Sequence, residues 1–151
     1  MEIVRLSSGD EDRYRAWLTL FGAAFEEPES YTGAMPSPAY RDRLLTDANF
    51  IPLAALENGR LVGALAAYVL VKFEQERSEI YIYDLAVDQA HRRKGVGEAL
   101  VNETRRIASD IGAWVVYVQA DHVDPPAVAL YTKLGSREDV LHFDMTPLAR
   151  N

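Results

Sequence analysis

The sequence predicts an α+β fold, a single mixed β-sheet flanked by helices, and three observations carry that expectation. Two apolar, strand-like runs meet at Asn58-Gly59, a dipeptide that favours a tight hairpin. Helical patterns with one apolar face separate the later strands, so strands come both as hairpins and around helices. No repeat, low-complexity tract or linker interrupts the 151 residues, and that length with 48% hydrophobic content suits one domain spanning residues 1–151.

The elements follow in order. Ile3-Val4-Arg5-Leu6 reads as a short strand, and Ser8 with Glu11 three residues on forms the reciprocal capping pattern of a helix start. Tyr14, Trp17, Leu18, Phe21 and Phe25 then recur at helical spacing as one core-facing stripe. Pro28, Gly33, Pro36 and Pro38 break the pattern, which makes Glu26 to Pro38 a loop, long enough to carry function, before a short helix from Ala39 to Asp47. Phe50 to Leu56 and Leu61 to Phe73 form the hairpin arms around Glu57-Asn58-Gly59-Arg60. Ser78 to Val87 is the next strand, with strict alternation placing Ile80, Ile82, Asp84 and Ala86 on one face. A helix from Gly97 to Ile111 buries Leu100, Thr104, Ile107, Ala108 and Ile111 and stops at Gly112. Trp114 to Ala120 is a strand, and Asp124 caps a helix whose first turn accepts Pro125 and Pro126. Ala127, Leu130, Tyr131 and Leu134 line that helix before Gly135 ends it, and Val140 to Met145 closes the sheet.

Composition excludes several functions. With no cysteine there is no disulfide, thiolate metal site or cysteine nucleophile, and a reducing cytoplasm is the expected setting. The longest apolar run, Leu61 to Val71, falls short of the roughly 20 residues a membrane span needs, and the polar stretch Arg5 to Asp12 is no signal peptide. A net charge of −7 opposes a general nucleic-acid surface and would attract a polycationic small molecule. His91, His122 and His142 lack the paired spacing of a metal site, so no metal is expected.

The strongest local signal is Asp88-Gln89-Ala90-His91-Arg92-Arg93-Lys94-Gly95-Val96-Gly97 between a strand and a helix. Glycines let the backbone approach a ligand, and the free amides at a helix start make a site for pyrophosphate. Arg92, Arg93 and Lys94 add positive charge. By composition alone the same stretch reads equally as a solvated basic turn. Its spacing meets neither the nucleotide P-loop nor the dinucleotide fingerprint.

Arg92-x-x-Gly95-x-Gly97 resembles the coenzyme A signature of the GCN5-related N-acetyltransferases. Asp84-Leu85-Ala86-Val87 resembles the fourth strand of that family, whose backbone pairs with pantetheine, and Ala127-x-x-x-Tyr131-x-x-x-Gly135 resembles its fourth helix. The runs Gly63 to Leu70, Ser78 to Val87, Tyr117 to Asp121 and Ala127 to Gly135 are similar to type I aminoglycoside 3-N-acetyltransferases, and the likeness extends to His142-Phe143-Asp144. Asp124 stands where the family usually has an asparagine that contacts pantetheine, and Ser136 where phenylalanine is common.

The resemblance implies direct transfer: a neutral amine attacks the thioester of acetyl-coenzyme A, the oxyanion meets a strand amide near Leu85 or Ala86, and the thiolate leaves. Asp84 is the expected proton acceptor and ammonium partner, and Tyr131 the expected acid for the thiolate. Each residue also has a structural alternative: Asp84 can be satisfied by backbone or an arginine, and Tyr131 can simply pack. The implied cofactor contacts are Leu85, Ala86, Val87, Arg92, Arg93, Lys94, Gly95, Val96, Gly97 and Asp124, and the implied acceptor contacts are Asp84, Tyr31, Asp121 and Asp144. A homodimer and an aminoglycoside acceptor follow from the same resemblance. A polyamine or protein N-terminal acetyltransferase would share the cofactor core, and a coenzyme A-binding sensor would lack turnover.

Overall fold

The computed structural model describes residues 1–149 as two compact units, Met1–Gln119 and the remainder from Ala120. The first unit holds β1 (Glu2–Arg5), α1 (Glu11–Ala24), α2 (Pro28–Thr32), α3 (Pro38–Thr46), β2 (Phe50–Glu57), β3 (Arg60–Val71), β4 (Ser78–Val87), α4 (Val96–Asp110) and β5 (Val116–Val118). The sheet runs β1-β2-β3-β4-β5, antiparallel through β4, with β5 joined parallel to β4 after the helical crossover. It is the mixed α+β sheet that the sequence predicts. Among the described residues no helix is long and apolar enough to cross a membrane.

The hairpin forms where Asn58-Gly59 requires it: both residues take positive φ, 51° and 77°, the twist that matches the flanking strands. One sheet face is covered by α1, where Tyr14, Trp17, Leu18 and Phe21 pack with Phe50, Ala54, Ala64, Ala66 and Ala86. The indole Nε1 of Trp17 donates to the Leu53 carbonyl at 2.8 Å, so its one polar atom is satisfied inside that core. The opposite face belongs to α4. Gly63 lies under it so closely that an added Cβ would sit 2.6 Å from Val96 Cγ1 and 3.0 Å from Leu100 Cδ1. Thr104, fully buried on α4, donates back to the Leu100 carbonyl at 3.0 Å.

Several boundaries differ from expectation. Helix α1 starts at Glu11 with Asp10 in the cap position, and the Asp10 carboxylate accepts from the Ser7 amide and hydroxyl at 2.8 and 2.9 Å. Ser8 is not the cap. The loop from Glu26 to Pro38 contains α2, because Pro28 is preset for a first helical turn. Strand β3 stops at Val71, leaving Phe73 exposed, and α4 begins one residue early, at Val96, leaving Ile111 exposed beyond its end. Of the expected Trp114–Ala120 strand, Val116–Val118 forms the ladder with β4, while the Trp114 amide donates to the Ser78 carbonyl at 2.8 Å and the Val115 carbonyl accepts from the Ile80 amide at 2.9 Å.

In the second unit, α5 (Pro125–Leu134) begins as the sequence predicts. The Asp124 carboxylate accepts from the Ala127 amide at 3.2 Å, and the Gly135 amide donates to the Tyr131 carbonyl at 2.9 Å. The expected strand from Val140 to Met145 does not form: these residues are exposed and have no ladder partner among the described residues. A strand exists only through pairing, and apolar alternation alone cannot supply it.

Candidate functional site

Strand β4 is irregular at its centre. Ala67 of β3 opposes Ile82 and Ala66 opposes Asp84, so Tyr83 is an extra residue in a β-bulge. The bulge reverses the alternation. Ile80 and Ile82 face α4, whereas Asp84 and Ala86 share the α1 face with Ala64 and Ala66. The expectation that Ile80, Ile82, Asp84 and Ala86 share a face is therefore corrected, because one inserted residue in a period-two element turns every later side chain over.

This reversal delivers Asp84 into a cleft of about 170 Å³ whose walls include Phe21, Tyr31, Phe50, Tyr68 and Tyr83. Tyr31, carried by α2, donates its phenol hydrogen to Asp84 Oδ2 at 2.9 Å. The ring of Tyr31 stacks on Phe21 at 5.6 Å and tilts against Phe25 at 5.7 Å, so aromatic packing sets its direction. Burial raises the Asp84 pKa above the ordinary value, the Tyr31 hydrogen bond opposes the rise, and the nearby Glu27 charge adds to it. Burial and then the bond to Asp84 push the Tyr31 phenol upward, which keeps it a donor. A half-buried carboxylate with a raised pKa, facing a cleft, is suited to hold an ammonium and to take a proton.

A larger, open depression of about 480 Å³ lies at the start of α1, lined by Gly9 to Arg13, Leu56, Gly59 and Leu61. Of its three carboxylates, Asp10 is committed to Ser7 and Arg13 and Glu11 to Arg41 at 3.1 Å, while Asp12 is exposed in the first turn of α1. That leaves the Asp84 cleft as the better place for chemistry.

On the far end of β4 the cofactor expectations meet a coherent backbone. Ladder pairing with β5 covers Ile80 to Ile82, so from Tyr83 through Leu85, Ala86 and Val87 the second edge of β4 has no strand partner among the described residues. Arg92, Arg93 and Lys94 are exposed, and Arg93 and Gly95 take left-handed φ values of 60° and 82° on either side of Lys94. Such alternation turns successive amides toward one concavity. Gly95 caps α4 with no side-chain cap hydrogen bond among the described residues, and a helix start of this kind is suited to receive an anion. Val96 is buried beneath this loop against Gly63, which restricts any ligand contact there to its backbone. These features fit a pyrophosphate-bearing cofactor.

The remaining expected residues belong to the second unit. Asp124 is engaged in capping α5, Asp144 accepts from or pairs with His142 Nε2 at 2.9 Å, and the Asp121 carbonyl accepts from the Asp124 amide at 3.0 Å. Tyr131 lies in the penultimate turn of α5, partly buried. Two contributors to the Asp84 cleft were absent from the sequence reading, Tyr68 and Tyr83. Tyr83 left no signal, because a bulge has no spacing of its own, and Tyr68 reads only as one more strand residue.

The comparisons with known proteins agree with this geometry. The acetyltransferase (GNAT) family matches residues 13–136, a stretch that runs through both units. An aminoglycoside acetyltransferase from an uncultured soil metagenomic sample is 53% identical, superimposes with a TM-score of 0.94 and is covered over 98% of each chain. A second, from another such sample and solved in complex with sisomicin, is 34% identical with a TM-score of 0.87, over 96% of this chain and 95% of that one. Among curated relatives, mycothiol acetyltransferase of Clavibacter sepedonicus is 32% identical over 89% of this chain and 43% of its own length. Streptothricin acetyltransferase of Streptomyces lavendulae is 29% identical over 48% of this chain and 39% of its own. The chain thus spans well under half the length of these two curated relatives. With the family model matching residues 13–136, most of its length, the chain belongs to the acetyltransferase (GNAT) family.

Proposed function

We propose that this protein transfers the acetyl group of acetyl-coenzyme A to the 3-amino group of a 2-deoxystreptamine aminoglycoside. The observation that carries the proposal is Asp84, held by Tyr31 in an aromatic cleft on β4, whose second edge beyond Ile82 has no strand partner among the described residues. The similarity to two aminoglycoside acetyltransferases, one bound to sisomicin, supports the acceptor class.

A cleft of about 170 Å³ is smaller than the roughly 300–1,000 Å³ of a site that swallows a drug-sized ligand. It takes one amine-bearing edge and leaves the other rings of an aminoglycoside outside. Asp84 binds the ammonium and then accepts its proton, directly or through water, which leaves a neutral amine to attack the thioester carbonyl. The amide of Leu85 or Ala86 meets the developing oxyanion, and the Tyr131 hydroxyl protonates the departing thiolate. Arg92 to Gly97 hold the pyrophosphate, and Leu85 to Val87 offer a strand edge to pantetheine. Asp121 and Asp144 add acidic charge for the polycation, with the chain's net charge of −7 steering it in.

The test is a panel assay of acetyl-coenzyme A consumption with sisomicin, gentamicin-like compounds, polyamines and peptides, followed by NMR of the purified product. Acetate on the 3-amino group is expected, with capture weakening as salt screens charge beyond about 8 Å at physiological ionic strength. Acetate on another ring amine would overturn the regiochemistry. Turnover of a polyamine or peptide alone would overturn the acceptor class.

A further inference from the structure

His91 closes the short 3₁₀ turn Gln89–His91 between β4 and the basic loop, and its side chain is only 17% exposed. Nδ1 lies 2.5 Å from Asp88 Oδ2, on the same loop, and Nε2 lies 3.0 Å from Glu57 Oε2, the last residue of β2. One imidazole thus spans two carboxylates from two separate segments. A neutral ring carries a single N–H and can donate to only one of them, whereas an imidazolium donates to both. The other charged group facing the cluster is Arg60, at the start of β3, which acts on Asp88. The His91 hydrogen bond, more than any other influence, holds the Asp88 carboxyl below its usual range. The Asp88 amide donates to the Val62 carbonyl at 2.9 Å, so the cluster is moored to the sheet on its loop side as well. Arg92 follows directly, its Nε donating to the Val87 carbonyl at 3.3 Å.

We propose that His91 is a positioning residue for the cofactor loop. By bridging Asp88 and Glu57 it ties the β4–α4 loop to the β2–β3 turn, so that the backbone of Arg92 to Gly97 meets the pyrophosphate of acetyl-coenzyme A already in its binding conformation. Preorganisation removes the ordering cost from binding. His91 touches neither the acceptor nor the reacting atoms. The inference rests on the reading of Arg92–Gly97 as the pyrophosphate loop.

The experiment is calorimetric titration of coenzyme A into wild type, His91→Phe, Glu57→Ala and Glu57→Gln at one neutral pH. Wild-type affinity should exceed that of His91→Phe and of Glu57→Ala about tenfold. In Glu57→Gln the amide still pairs with Nε2 while Nδ1–H donates to Asp88, so its affinity should stay close to wild type. With acetyl-coenzyme A as substrate, His91→Phe should raise its KM and leave kcat nearly unchanged. A folded His91→Phe or Glu57→Ala with wild-type affinity, or a Glu57→Gln as weak as Glu57→Ala, overturns the clamp. A wild-type protein that takes up no coenzyme A overturns the loop reading itself and the clamp with it.

Discussion

The phenol of Tyr31 donates to Asp84 Oδ2 at 2.9 Å, a bond between a five-residue helix and the bulged strand, far apart in sequence. The carboxylate that would receive an ammonium already has one donor, and that donor opposes the rise in pKa that burial imposes. Tyr31 therefore keeps Asp84 ionised further into acid than burial alone would allow.

Removing that donor has a defined sign. In Tyr31→Phe the influence that lowers the Asp84 pKa is lost while burial and Glu27 remain, so the carboxyl stays protonated to higher pH. The acidic limb of the profile of kcat against pH should move to higher pH. A folded variant with an unmoved limb would uncouple Tyr31 from proton transfer.

Asp84→Asn should lower kcat by about a hundredfold to ten-thousandfold while coenzyme A still binds. Stability should move the other way. The folded carboxyl has a raised pKa, so between its ordinary value of 3.8 and the folded value the native state holds more protons than the unfolded chain. Stability falls as pH rises through that window, and the penalty persists at neutral pH. Asparagine removes the charge and can still accept from Tyr31, so melting at neutral pH should be unchanged or higher in the variant.

Gly63 tests the seat of the cofactor helix. A methyl group there would press on Val96 and Leu100 from 2.6 and 3.0 Å, and overpacking of a tight core costs about 1–3 kcal/mol. Gly63→Ala should lower the denaturation midpoint and weaken coenzyme A binding together, because the buried side chain of Val96 anchors the first turn of α4. Chemical denaturation and calorimetry on the same preparation check both.

Gly95→Ala separates backbone strain from packing. Apart from its neighbours in the chain, no atom of the described residues lies within 4 Å of the added methyl, yet φ is 82°, and a left-handed conformation costs an L-residue about 1–2 kcal/mol. A loss of that size in stability is expected, and a shift of the loop toward negative φ should weaken coenzyme A binding more than it slows the bound complex. KM and kcat measured separately distinguish the two.

Tyr131→Phe should slow acetyl transfer by at least about a hundredfold, with cofactor affinity and melting temperature close to wild type. Single-turnover kinetics would show whether the hydroxyl acts on the chemical step. Undiminished transfer would leave Tyr131 a packing residue of α5.

The sequence by itself determined whatever depends on neighbours along the chain. Asn58-Gly59 set a hairpin because such residues readily take two positive φ values in succession, and Asp124 with two prolines set the start of α5. The motif spacing around Arg92, Gly95 and Gly97, linked to the strand Asp84–Val87 and the helix Ala127–Gly135, indicated the family. What only the tertiary structure decided depends on partners distant in the chain. Strict alternation put Asp84 beside Ile82; the register with β3 inserted Tyr83 and turned Asp84 to the other face. The partner of Asp84 came from a stretch that reads as a loop, because a five-residue helix is held by packing on Phe21 and Phe25 rather than by its own propensity. His91 read as a lone histidine until folding set Glu57 across from it. A strand at Val140 to Met145 looked equally credible from its alternation, yet pairing is a property of two segments, and one segment's sequence carries only half of it.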